Sequence, residues 1–267
     1  PEMTAPRLAH PPSGGYPASL RLPKAVVPAP SPIAFGGIPG EDALSVKRGA
    51  APAAMTSPVP ESVPVEIQKS RAKTPDPAVG LFRLGVLYQQ AGDHHRAIEQ
   101  YRALLALDPR HVPALNNLAV SLRHLGELDK AAELLQRAAA FDPTYDKAFT
   151  NLGVVRQLQE QPDAAIEAHL RALAINPKNW ESALNLGLLF WEAHDHARAG
   201  EFFLKVVSDR PNAAAYYYLG LIAERRGRPA EALRRYRQVI QEREGAQPDL
   251  RAEAERRVQD LVGLARR

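Results

Sequence analysis

The side chains best suited to chemistry in this sequence are histidines and asparagines. His94 and His95 follow Asp93, and His194 and His196 flank Asp195, but the chain contains no cysteine and no further carboxylate at ligand spacing. Protein zinc sites normally need three or four such ligands at fixed spacing. We therefore expect ordinary turn histidines here, with no metal.

Signatures of catalysis are absent. The sequence lacks Gly-x-Ser-x-Gly, His-Glu-x-x-His and a paired-carboxylate pattern, and Gly36, Gly37 and Gly40 lack the strand-loop-helix setting of a phosphate loop. Without cysteine, disulfides, thiolate zinc sites and cysteine nucleophiles are excluded. We expect no enzyme, and neither catalytic residues nor a cofactor.

Asn117, Asn151 and Asn185 recur at an interval of 34 residues. A carboxamide can donate and accept hydrogen bonds, so a row of them could bind the main chain of an extended peptide. The alternative is that each asparagine caps or pairs locally. Six further residues should face the same side: Arg123, His124, Gln157, Trp191, Glu192 and Arg225. Trp191 either anchors a partner there or packs on the next unit.

The elements that would position these residues follow from the same period of 34. Three sets of residues keep this register over four units: Leu84-Gly85, Leu118-Ala119, Leu152-Gly153 and Leu186-Gly187; Ala97, Ala131, Ala165 and Ala199; and Pro109, Pro143, Pro177 and Pro211. A fifth unit, with Leu219-Gly220 and Ala232, follows one residue short. Each unit predicts two amphipathic helices.

The residue types have physical roles in such a pair. Gly or Ala is small where the two helices cross and lets the backbones approach. The Asp-Pro or Asn-Pro pair ends the second helix, because the residue before proline is disfavoured in the helical region. Gly92, Gly126 and Gly227 mark the turns between helices.

This pattern resembles the tetratricopeptide-repeat family over about residues 78–244. The resemblance implies an all-α, right-handed superhelical solenoid whose first helices line a concave groove. The asparagines are similar to the ladder in the superhelix of O-linked N-acetylglucosamine transferase, with Arg83 and Tyr218 replacing the outer rungs. Arg156, His169 and His194 depart from the family pattern, and we interpret them as tolerated local variation.

The predicted organisation is a disordered Pro/Ala-rich arm over residues 1–76, a repeat domain over 77–245 and a C-terminal capping helix within 246–267. The arm holds most of the 24 prolines and lacks the apolar periodicity needed for a core. The five units are 78–111, 112–145, 146–179, 180–212 and 213–245.

The net charge of +4 is concentrated as arginine near the C-terminus, where glutamates are interspersed. This pattern favours a solvated face with internal ion pairs, and a nucleic-acid surface is the alternative. No apolar run reaches the roughly 18 residues of a membrane span, so we expect no membrane insertion. Cytoplasm is the expected compartment, although a leader removed before Pro1 is an alternative.

The sequence thus predicts a protein-binding scaffold or adaptor that holds an extended segment of another protein in the groove. One alternative is an assembly or targeting factor in a larger multiprotein machine, acting through the arm and the outer faces. A second alternative is a nucleic-acid-associated protein that uses the arginine-rich end.

Overall fold

The computed structural model describes residues 76–242 and 248–265, and all regular structure in these two ranges is α-helical. Numbered in chain order, the helices are α1 (Pro77–Gln90), α2 (His94–Leu107), α3 (Val112–His124), α4 (Leu128–Phe141), α5 (Asp146–Leu158), α6 (Pro162–Ile175), α7 (Trp180–Glu192), α8 (His196–Asp209), α9 (Ala213–Arg225), α10 (Pro229–Gln241) and α11 (Pro248–Ala265). The predicted arm lies outside the described residues, apart from Asp76.

The helices pack as five consecutive pairs, from α1 with α2 to α9 with α10, and each second helix also packs on the first helix of the next unit. First helices α1, α3, α5 and α7 touch in succession, and successive second helices approach less closely. The side on which neighbours lie closer is the inner side of a curved array. The prediction of an all-α solenoid is therefore confirmed.

Short polar side chains begin many of these helices. The Asp93 and Asp195 carboxylates accept the backbone N–H groups of Arg96 and Arg198 at 3.1 and 3.0 Å, and each thereby caps a second helix. At the other end, Asp108 before Pro109 is extended (φ −132°, ψ 91°). The Asp-Pro pair therefore ends the helix as its chemistry predicts.

The turns inside the units need one residue in the left-handed region. Gly92, Gly126 and Gly227 supply it with φ of 77°, 80° and 66°. In the third and fourth units the same place is held by Glu160 and His194, with φ of 57° and 59°. His194 thus adopts the glycine conformation at the steric cost that a Cβ carries there.

In four of the five units, a glycine of the first helix lies against a ring of the second helix. A Cβ at Gly153, Gly187 or Gly220 would lie 2.5 Å from the ring of His169, Phe203 or Tyr236 respectively. This crowding explains why the repeat keeps glycine at the helix crossing. In the second unit Ala119 is tolerated where the facing residue is the aliphatic Leu135.

The apolar core is divided. One cluster runs from Leu84 to Val155, a second from Ala183 to Ile222, and a third joins the fifth unit to α11. In α11, Leu250 and Ala254 are buried against that third cluster, with Val258 and Leu261 partly buried beside them. α11 therefore covers the apolar flank of the last pair, as expected of a capping helix.

Within the described ranges, no helix combines the length and apolar character needed to cross a bilayer.

Candidate functional site

The candidate site is the inner side of the array, which we call the groove face. It is the side of α1, α3, α5, α7 and α9 that carries Gln89, Asn117, Asn151, Asn185 and Tyr218. The nine residues singled out in the sequence all lie on α3, α5, α7 or α9. Their burial and partners differ, and these differences decide what each of them can offer a ligand.

The three asparagines are not equivalent. Asn117 and Asn151 are each only 5% exposed, whereas Asn185 is half-buried. Asn185 donates through Nδ2 to the Glu181 carbonyl at 3.0 Å, within its own helix. Asn185 is therefore the most accessible of the three to a ligand in the groove, and Asn151 is more deeply buried.

Asn116, a residue that the sequence analysis missed, joins two of these amides. It donates through Nδ2 to Asn117 Oδ1 at 3.1 Å and accepts from Asn151 Nδ2 at 2.8 Å. The second bond crosses from α3 to α5. The Asn151 side-chain oxygen has no hydrogen-bond partner of its own among the described residues.

Two glutamines, each in the last turn of a first helix, form hydrogen bonds with a polar ring of the second helix of the same unit. Tyr101 donates to Gln89 Oε1 at 3.0 Å, and the Gln89 amide nitrogen donates to the Asn117 carbonyl at 3.2 Å. In the third unit, Gln157 Oε1 lies 3.2 Å from His169 Nε2. Each ring therefore fixes the orientation of a groove carboxamide.

His169, which the sequence led us to interpret as tolerated local variation, is fully buried. Its second ring nitrogen lies 3.4 Å from the Ser182 hydroxyl, which in turn contacts Thr150 Oγ1 at 3.0 Å. Asn179 donates to Thr150 and to the Asp146 carboxylate at 2.8 and 2.9 Å. This polar network lies between the first two apolar clusters.

Burial lowers the pKa of His169 to about 3. The imidazole is therefore neutral at ordinary pH, with Nε2–H donating to Gln157 and Nδ1 accepting from Ser182. Its place in the repeat belongs to an aromatic ring in three other units. The sequence contained a sign of this network: a histidine at a position that otherwise carries a buried aromatic ring needs buried hydrogen-bond partners.

A basic group occupies the groove face of the second unit. The Arg123 guanidinium contacts His124 Nε2 at 3.2 Å, and the His124 ring stacks on His94 with 4.3 Å between centroids. Burial first, and the nearby Arg123 charge second, lower the pKa of His94 and of His124. Both imidazoles therefore favour the neutral form beside the arginine.

Aromatic side chains line the groove face in the fourth and fifth units. The half-buried Trp191 ring lies 5.2 Å from the Tyr218 ring and 4.5 Å from His196, and the Arg225 guanidinium lies 5.2 Å from its centroid. Tyr218 also stacks on Phe203 at 5.0 Å. Trp191 therefore packs on the next first helix and keeps an exposed portion, and its role as an anchor for a partner stays a prediction.

Glu192 is a half-buried carboxylate at the end of α7. Burial raises its pKa, and no ion pair or hydrogen bond involves its side chain in the described part of the chain. Burial also raises the pKa of Tyr218, to about 12, and the Glu192 charge adds to this effect. The carboxylate therefore lies within electrostatic range of the tyrosine and has no cationic partner among the described residues.

Near the C-terminus, Arg228, Arg256 and Arg257 form ion pairs with acids. Arg257 contacts Glu224 at 2.9 Å and Glu253 at 3.2 Å, and Arg256 contacts Glu253 at 2.6 Å. These pairs fit the interpretation of a solvated face with internal ion pairs. No group of three or more histidine, cysteine or carboxylate side chains is placed to hold a metal within residues 76–242 and 248–265.

These features define a class, a helical-repeat array with polar and aromatic side chains along its first helices. A family model described as tetratricopeptide repeat matches residues 82–146, 151–214 and 203–248, more than half of the chain. The chain therefore belongs to the tetratricopeptide-repeat family.

Solved structures share this fold. MamA is 27% identical, with 62% of this chain and 92% of that chain covered and a TM-score of 0.53. PilF of Pseudomonas aeruginosa is 22% identical, covers 72% and 87% and has a TM-score of 0.61. YrrB, described as a TPR protein with an unusual peptide-binding site, is 21% identical over 71% and 97%, with a TM-score of 0.51. No curated protein sequence matches the chain.

Proposed function

We propose that the chain is a protein-interaction scaffold whose groove face binds an extended segment of another protein. Extended concave surfaces are what stacked helical repeats offer to partners. YrrB, which shares the fold, is a TPR protein described by a peptide-binding site. A chain of this family that carries amides along its inner face is suited to the same kind of ligand.

The observation that carries the proposal is the state of two carboxamides at corresponding positions of neighbouring units. Asn151 and Asn185 each use Nδ2 within the protein, on Asn116 and on the Glu181 carbonyl. Each leaves Oδ1 without a partner in the described residues. Two acceptors one repeat apart can therefore receive main-chain N–H groups of an extended segment.

An apolar row accompanies these acceptors one turn further along the first helices. Val154, Leu188 and Leu221 are half-buried at equivalent places in the third, fourth and fifth units. In an extended segment, alternate side chains point to the same side. Some of them would pack on this row, while the main chain bonds to the asparagines.

A photo-crosslinking experiment tests the site. A photoreactive phenylalanine analogue replaces Leu188 in the groove or, as a control, Leu204, which is 47% exposed on α8. The full chain is incubated in native lysate and irradiated, and the crosslinked segment is identified by mass spectrometry. We expect an adduct from position 188 that maps to one extended segment of a partner.

The same segment, made as a synthetic peptide, measures the contribution of the asparagines. We expect the double variant Asn151→Ala and Asn185→Ala to bind it about tenfold more weakly, because each lost hydrogen bond contributes about 1 kcal/mol. Circular dichroism checks that the variant remains folded. Adducts from position 204 with none from 188 would instead favour an assembly factor that acts through its outer faces.

A further inference from the structure

The groove face of α7 carries a row of polar and apolar side chains on one side of the helix. Glu181, Asn185, Leu188 and Glu192 are spaced by four, three and four residues, the spacing of a single helical face. All four are half-buried. A segment that bonds to Asn185 therefore passes within side-chain reach of both glutamates.

The two carboxylates differ in their surroundings. Around Glu181, the charges of Lys147 and Arg210 oppose the effect of burial on the carboxyl. Around Glu192, burial acts alone, with no charged group contributing. Glu192 is therefore a partly desolvated anion without compensation, an arrangement that a cation brought by a ligand would relieve.

Other carboxylates of the array show how unusual this is. Asp195 pairs with Arg198, and Glu224 pairs with Arg257. Asp146 accepts hydrogen bonds from two asparagine side chains. Half-buried acids elsewhere on these units thus have partners within the chain, and Glu192, in the groove, does not.

The neighbours of Glu192 suit the stem of a basic side chain. The Glu192 charge contributes to the raised pKa of Tyr218, and the Trp191 ring contacts the Tyr218 ring. Trp191 also holds the Arg225 guanidinium over its ring at 5.2 Å, a cation–π contact. The methylenes of lysine or arginine pack well on such rings while the charged end reaches a carboxylate.

The rest of the groove face sets where a basic residue fits. The first three units present Arg83, Arg123 and Lys147, and burial makes Arg123 a partly desolvated cation with a lowered pKa. A second positive charge placed there would be repelled. Charge complementarity therefore assigns a basic side chain to the fourth unit.

We propose that Glu192, together with Tyr218 and Trp191, forms a subsite for a lysine or arginine side chain of the segment held in the groove. This inference rests on the proposed function. It specifies the chemistry of the partner segment, which carries a basic residue next to the part of its main chain that bonds to Asn185.

A random nine-residue peptide library displayed on phage, selected on the immobilised full chain, tests the subsite. Selections on Glu192→Gln and on Glu201→Gln run in parallel. Glu201 is an exposed carboxylate on α8 without an ion pair among the described residues. We expect the wild type and Glu201→Gln to enrich lysine or arginine at one fixed position, and Glu192→Gln to lose that enrichment.

A selected peptide then gives the magnitude by fluorescence anisotropy. We expect Glu192→Gln to weaken binding about tenfold, since the lost contact is a charge-assisted hydrogen bond. Replacing the basic residue by norleucine should weaken binding to the wild type by a similar factor and leave binding to Glu192→Gln unchanged. Glu192→Gln keeps the side-chain size, and a melting temperature no lower than that of the wild type shows that it folds.

The outcomes separate this inference from the proposed function. Peptides that need Asn151 and Asn185 but show no basic preference, or that bind Glu192→Gln and Glu201→Gln equally, would overturn the subsite alone. Peptides that bind regardless of the two asparagines would overturn the groove as the binding site, and the subsite with it.

Discussion

His169→Phe is the substitution that tests the account of the polar network most directly. The ring of Phe203 already packs on Gly187 as His169 packs on Gly153, so phenylalanine fits the site. At about pH 7.5 the variant loses the contacts to Gln157 and Ser182, each worth about 1 kcal/mol, and gains apolar burial of similar size. We expect the free energy of unfolding to change by about 1 kcal/mol or less.

Acidification should lower the free energy of unfolding more for the wild type than for His169→Phe. The folded pKa of His169 is about 3, below the ordinary 6.5, so the unfolded chain binds the proton first. The stability due to the neutral imidazole is complete above about pH 6.5 and declines as the pH falls towards the folded pKa. Between pH 7.5 and 4.5 this one group removes about 2.5 kcal/mol from the wild type.

Urea unfolding followed by circular dichroism at these two pH values measures the difference. We expect His169→Phe to lose about 2.5 kcal/mol less than the wild type on acidification. Replacement of the exposed His95 by Gln is the control, and it should follow the wild type. Equal losses for the wild type and His169→Phe would refute the reasoning, because His169 would then accept a proton in the folded protein as readily as in the unfolded one.

Three further substitutions test the helix crossings, the turns and the amide row by urea unfolding at neutral pH. Gly187→Ala should lower the free energy of unfolding by about 2 kcal/mol or more, since its Cβ would overlap the ring of Phe203. Gly200→Ala is the control: the nearest atom is 3.5 Å from the added Cβ, so this variant should be neutral or more stable by up to about 1 kcal/mol. Equal effects of the two substitutions would contradict the explanation that glycine is needed where the helices cross. His194→Gly should stabilise by about 1 kcal/mol, because the residue has φ of 59°, and no gain would show that the turn is not strained. Asn116→Ala should cost about 1–3 kcal/mol because it leaves two buried amides without partners, and a neutral result would mean that the amides find other partners.

The helix pairs and their register could be predicted from the sequence. The 34-residue spacing of Leu84, Leu118, Leu152 and Leu186 places each on the same face of its helix, and the proline near each unit end sets where the second helix stops. Such signals are local, since they depend on backbone sterics and helix geometry. The positions of the asparagines on first helices followed from the same register.

The state of those asparagines could not be predicted in this way. Asn116 precedes Asn117 and carries no periodic signal, yet it bonds to Asn151 across two helices. The spacing of the three asparagines shows that they align along the first helices. Which of their side-chain atoms stay without a hydrogen bond depends on which neighbours lie within about 3 Å. That distance is set by how closely two units pack.

The sequence by itself therefore determined the array and its pairs of helices, because both follow from local signals that recur every 34 residues. Only the tertiary structure decided that His169 is buried and neutral between two apolar clusters and that Glu192 lacks a counter-charge. Both outcomes depend on desolvation and on partners from other helices. Those quantities exist only once the units have stacked.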